Sequence, residues 1–159
     1  MHAAELLLLG LYPVALCVCI GTDIARRIIP NVVIAALLFG FAVLAVLSPL
    51  PDLPLRLLLA GVVTAFGFSL FAENVVGAGD AKLAGVLMLW VDPVQVPLFV
   101  LACGLLGALL TLVAVAGRRR NGLHPGVAAA ARARTLPYGV ALAGAGLLLH
   151  PFSSLLGHG

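Results

Sequence analysis

Long apolar runs separated by short polar stretches set the pattern of this chain. Six runs stand out, over about residues 3–21, 31–47, 55–72, 81–91, 96–116 and 136–150. A bilayer-spanning helix needs roughly 20 apolar residues, so five of the runs predict membrane helices. The fourth, residues 81–91, gives a helix of only about 16 Å at 1.5 Å per residue. It crosses only with helical extension on one side or a locally thin bilayer. The breaks carry their own signals. Pro30 suits the start of the second helix, where a missing N–H is tolerated. The proline-rich stretch Ser48 to Pro54 and Asp92-Pro93 are turns. Pro13 predicts a kink in the first helix, and Trp90 suits an interfacial aromatic belt. Asn121 to Arg134 reads as a basic, alanine-rich loop with room for a surface helix.

Composition turns this pattern into a fold class. Of the 159 residues, 63% are hydrophobic and 9% charged, against about a quarter charged in a soluble domain. An all-α integral membrane protein follows, one bundle of about six transmembrane helices forming a single domain over residues 1–159. The start of the chain carries Glu5 before its apolar run and Arg26-Arg27 after it. That order is the reverse of a cleaved signal peptide and predicts an uncleaved first helix. With six spans and the N-terminus outside, eight of the nine cationic residues fall on one side and Arg56 alone on the other. Cytoplasmic loops are enriched in Lys and Arg, so the topology is N-out and C-out. Non-spanning by the fourth run would move five arginines outside. Cys17, Cys19 and Cys103 sit in apolar runs without a Cys-x-x-Cys pair, as small buried hydrophobes. The four histidines are scattered, so no metal site is expected. No basic stretch is interleaved with aromatics, which excludes nucleic-acid binding.

The topology brings two acids to one depth. Asp23 ends the first span and Asp80 begins the fourth, 57 residues apart and both at the cytoplasmic face. Ionisable residues at membrane helix ends are costly, which makes them candidates for function. Asp52 and Asp92 fall on the opposite side beside prolines and read as solvated turn residues. Two neighbouring carboxylates cannot both ionise easily, and the pair separates an acid from a base. Such a dyad activates water and protonates a leaving amine, the chemistry of an aspartic protease. Gly77 and Gly79 beside Asp80 lack a Cβ, so the backbone there is free to take unusual φ and approach an extended peptide. The same features also fit a tight capped turn and a solvated helix end. A small carrier with Asp residues as ion or proton sites is the rival class, although carriers place such charges near the midplane.

Three blocks sharpen the choice. Asp23 precedes Arg27-Ile28-Ile29-Pro30-Asn31. Gly77-Ala78-Gly79-Asp80-Ala81-Lys82 follows, and Pro137-Tyr138-Gly139 opens the last run. In this order and spacing the chain resembles the bacterial type IV prepilin peptidases, polytopic aspartic endopeptidases of the inner (cytoplasmic) membrane. The resemblance implies catalysis by Asp23 and Asp80 without a cofactor. The implied partners are a prepilin or pseudopilin precursor and the lipid bilayer. Arg27, Pro30, Asn31, Pro137, Tyr138 and Gly139 take supporting places in these motifs. Long members carry a cytoplasmic insert with paired cysteines and also N-methylate the pilin. The insert is missing here, so the resemblance is to the short, peptidase-only branch of Flp-type (tight adherence) pili. Presenilin-type proteases share Gly-x-Gly-Asp but have Tyr before the first Asp, where this chain has Thr22.

Lys82 and Asn31 keep more than one reading. Lys82 tunes the dyad, holds a substrate carboxylate, or snorkels to the interface. Asn31 either caps the second helix or orients Asp23. Arg118 to Arg120 anchor the chain at anionic lipid. Gly139 and Ala143 are spaced for close helix packing. Helix dipoles predict Asp80, at a helix start, as the ionised base and Asp23, at a helix end, as the acid.

Overall fold

The computed structural model describes residues 10–47, 50, 52–120 and 138–150. The described residues form six α-helices and one 3-10 turn. They are α1 (Tyr12–Arg26), α2 (Asn31–Leu47), α3 (Leu53–Ala72), α4 (Ala78–Trp90) and, after the turn Pro93–Gln95, α5 (Val96–Arg120) and α6 (Tyr138–Leu149). Each predicted run that falls within the described residues is a helix. Residues 3–9, Pro137 and the basic stretch 121–134 lie outside the described residues. Pro13 and Pro54 sit in the first turns of α1 and α3, where no helical partner is lost.

Two helix ends share a device. α1 ends at Arg27, which adopts a left-handed conformation with φ 54° and donates its N–H to Asp23 O at 3.0 Å. α3 ends at Asn74, φ 56°, with Asn74 N–H bonded to Phe71 O and Val75 N–H to Leu70 O, both at 2.9 Å. This paired pattern closes orphan carbonyls at a helix C-terminus, and Asn tolerates the left-handed position. Each device turns the chain sharply toward one of the two acidic motifs.

α4 is the axis of the bundle. It packs against α3, α2 and α6, while α6 packs against α1 and α5. Eight of its 13 residues are buried, including the whole run Gly85–Trp90. At 1.5 Å per residue it is about 20 Å long, and α5 with 25 residues is about 38 Å. The short fourth run is therefore an interior helix whose ends are met by protein. α3 and α4 approach closely where Gly67 faces Ala81 and Gly85 faces Thr64. By contrast α3 and the stretch Pro93–Ala116 are long and apolar enough to cross a membrane, and few of their residues are fully buried.

Two sequence expectations fail at the C-terminal end of α4. Trp90 is not at an interface. It is 3% exposed, stacks on Tyr12 with ring centroids 5.0 Å apart, and donates its indole N–H to Leu37 O at 3.3 Å. Asp92 is not a solvated turn residue either, although Asp52 is exposed. Asp92 is buried and ion-paired with Arg56, whose side chain also donates to Leu89 O and Val91 O at 3.0 Å each. Arg56 is the only buried residue of α3. The guanidinium thus satisfies carbonyls that the last turn of α4 leaves open and neutralises the acid just beyond it. A lone arginine inside an apolar run was the available signal. Its cost in such a place demands a partner.

Candidate active site

The opposite end of α4 gathers the motifs. Gly77 is the residue before the helix, with φ −71° and ψ 146°, and Asp80 is the third residue within it. A carboxylate at this position reaches back to the N–H before the helix, as in a capping box, and the Gly77 amide does bond Asp80. The expectation of unusual φ at the glycines is overturned. Gly77 is extended and Gly79 is helical, while Arg27 and Asn74 hold the left-handed conformations. At Gly79 the missing Cβ makes space. A Cβ there would lie 3.2 Å from Ile29 Cβ, tighter than ordinary contact.

Asp23 lies in the last turn of α1, 4% exposed. Its Oδ2 accepts the backbone N–H of Val140 at 3.0 Å, and the Gly139 amide also bonds this carboxylate. Both amides lie at the start of α6 (Tyr138–Leu149), and N–H groups at a helix start attract an anion. A Cβ on Gly139 would lie 2.7 Å from Asp23 Oδ2, so only glycine lets the carboxylate reach them. Arg27 adds positive charge nearby. Asp23 and Asp80 are close enough to interact electrostatically.

The surrounding residues fall into place around this pair. Lys82 Nζ donates to Asn31 Oδ1 at 3.2 Å, tying the first turn of α4 to the first residue of α2. Neither reading of Asn31 from the sequence anticipated that bond. Pro30 precedes α2, and its carbonyl accepts Val33 N–H at 3.0 Å. Gly139 is buried against Asp23 and Ile29, and Tyr138 is partly exposed beside it. Ile29 stood within the Arg27–Asn31 motif without a role of its own, because an aliphatic side chain carries no chemical signal, and the Val140 amide was missed.

Residues 10–112 match the model of the type IV leader peptidase family. The chain belongs to that family. The match spans both aspartate motifs and identifies this leader peptidase family member as a peptidase. No curated protein and no solved structure matches the chain. The leader peptidase motifs, 57 residues apart in sequence, converge on one end of a single buried helix.

Proposed function

We propose that this chain is a membrane-embedded aspartic endopeptidase that removes the leader of type IV prepilins of the Flp kind at the cytoplasmic face of the bacterial inner membrane. The observation that carries this reading is the carboxylate pair, with Asp23 held by two amides of α6 and Asp80 beside it. The exposed apolar lengths of α3 and α5 support membrane insertion. Six spans, N-out and C-out, place Arg26, Arg27 and Lys82 with the pair on the cytoplasmic side.

Our reading assigns the roles the other way round from those drawn from the helix dipoles of α1 and α4. Asp23 is at the C-terminal end of its own helix but beside the start of α6, and its Oδ2 accepts the Val140 N–H. Asp80 has the single amide of Gly77 and faces the charge of Asp23. Asp23 is therefore the base and Asp80 the proton holder, with the titration belonging to the coupled pair. Asp23 draws a proton from water as the water oxygen bonds to the scissile carbonyl carbon. Asp80 gives its proton to the carbonyl oxygen. In collapse of the tetrahedral intermediate the proton on Asp23 passes to the amide nitrogen, the C–N bond breaks, and Asp80 recovers a proton from a hydroxyl. A new carboxyl terminus and a free amine leave. Arg27, Pro30, Asn31, Lys82, Tyr138 and Gly139 shape and flank this site, and Gly77 and Gly79 line its approach.

Co-expression of the chain with a Flp-type prepilin tests this reading. The expected result is loss of the leader mass from the prepilin, and no loss with Asp23→Asn or Asp80→Asn. Cleavage by either membrane-inserted variant overturns the dyad.

A further inference from the structure

We propose that Ile29 is a positioning residue, a wedge whose side chain sets the separation of Asp23 and Asp80. Ile29 is 7% exposed and lies in the loop between α1 and α2. It touches both backbone segments on which the dyad depends. On one side its Cβ meets the site of a Cβ on Gly79, the residue before Asp80, at 3.2 Å. On the other its Cδ1 meets the site of a Cβ on Gly139 at 2.9 Å, next to the amides that hold Asp23. Neither glycine can gain a methyl without moving the wedge.

The wedge is itself fixed at both ends. The left-handed Arg27 bonds back to Asp23 O at 3.0 Å. The Pro30 carbonyl accepts the N–H groups of Val33 and Ile34 at 3.0 and 3.4 Å. A β-branched side chain adds little freedom of its own at χ1. Close-packed interiors transmit a change of one methylene as a shift of the neighbouring elements. Removing volume at Ile29 lets α4 and α6 close on each other and alters the distance between the carboxylates. Near-attack geometry is lost by shifts of about 1 Å, at a cost of up to about 10²-fold in rate.

This inference rests on the aspartic peptidase reading for its kinetic arm, so the test has a second arm that does not. In the first arm, Ile29→Ala, Ile29→Val and Ile29→Leu are assayed on the co-expressed prepilin. Ile29→Ala is expected to lower kcat at least about tenfold with KM within about twofold, the pattern of lost transition-state geometry. Volume-conserving Ile29→Leu keeps most of kcat. In the second arm, Asp23→Cys and Asp80→Cys are combined in a chain lacking Cys17, Cys19 and Cys103, and the rate of disulfide formation is measured. That rate depends sharply on separation, because a bridge needs Cα atoms roughly 4.4–6.8 Å apart. It is expected to change in the Ile29→Ala background and to be restored in the Ile29→Leu background. An unchanged cross-linking rate in folded Ile29→Ala overturns the wedge. Should that variant not reach the membrane, Ile29→Val, which lacks only the atom facing Gly139, decides in the same way. Failure of the parent chain to cleave any prepilin would strike the peptidase reading and leave the wedge to the cross-linking.

Discussion

α4 has an aspartate at each end, and the two live in opposite surroundings. Asp92, just past the last turn, meets the Arg56 guanidinium, and that same guanidinium bonds the Leu89 and Val91 carbonyls. Asp80, in the first turn, shares its surroundings with a second carboxylate. At one end opposite charges cancel and two backbone carbonyls are satisfied, which anchors the helix. At the other the fold brings two acids within electrostatic reach, the arrangement that the proposed mechanism uses. An acid at a helix end is structural or reactive according to the partner that packing brings to it.

The largest expected effect breaks the reactive end. Asp80→Asn and Asp23→Asn each remove one proton carrier and should reduce leader cleavage by at least about 10²–10⁴-fold, the usual contribution of positioned acid–base groups. Thermal unfolding in detergent should show both variants folded. An inactive variant that is also unfolded would blur the contrast between the ends, and an active one would erase it.

The structural end should answer in stability. Arg56→Ala or Asp92→Ala strands a buried charge, and breaking such a pair costs about 3–5 kcal/mol. Arg56→Met combined with Asp92→Leu removes both charges and should recover much of that loss in denaturant titrations. A double-mutant cycle gives the coupling. Single and double variants of equal stability would show that the pair does not anchor α4.

A smaller effect lies between these extremes. Gly139→Ala puts a methyl against Asp23 Oδ2 and Ile29 Cδ1. Overpacking of this kind costs typically about 1–3 kcal/mol. Cleavage should fall more than stability does, because the methyl displaces Asp23 from its two amides. Equal activity with Gly or Ala at 139, measured on the same prepilin, would show that those amides are not needed.

The smallest effect belongs to Lys82→Met. The bond from Lys82 to Asn31 lies at the exposed edge of the site. An ordinary hydrogen bond contributes roughly 1 kcal/mol net, so cleavage should drop by less than about tenfold. A loss as complete as that of Asp80→Asn would move Lys82 from the rim into the reaction.

The sequence alone determined the helices, their breaks and the two aspartate motifs. Apolar runs and prolines act within a few residues of themselves. The positive-inside count also led to the expectation that Asp23 and Asp80 share one depth. The tertiary structure decided the partners. Arg56 reaches its acid 36 positions along the chain, and Val140 reaches Asp23 across 117. No local pattern encodes which apolar faces pack, so Asp92 read as solvated and Trp90 as interfacial. The roles proposed for the two aspartates rest on the same gap. Asp23 read as the acid from the end of its own helix, and only the folded bundle brings the Val140 amide of α6 to it. Gly79 and Gly139 were legible as glycines with a purpose, and packing against Ile29 showed that purpose to be space. Backbone propensity is local and survives in the sequence. The field at a carboxylate is a sum over neighbours, and only folding chooses the neighbours.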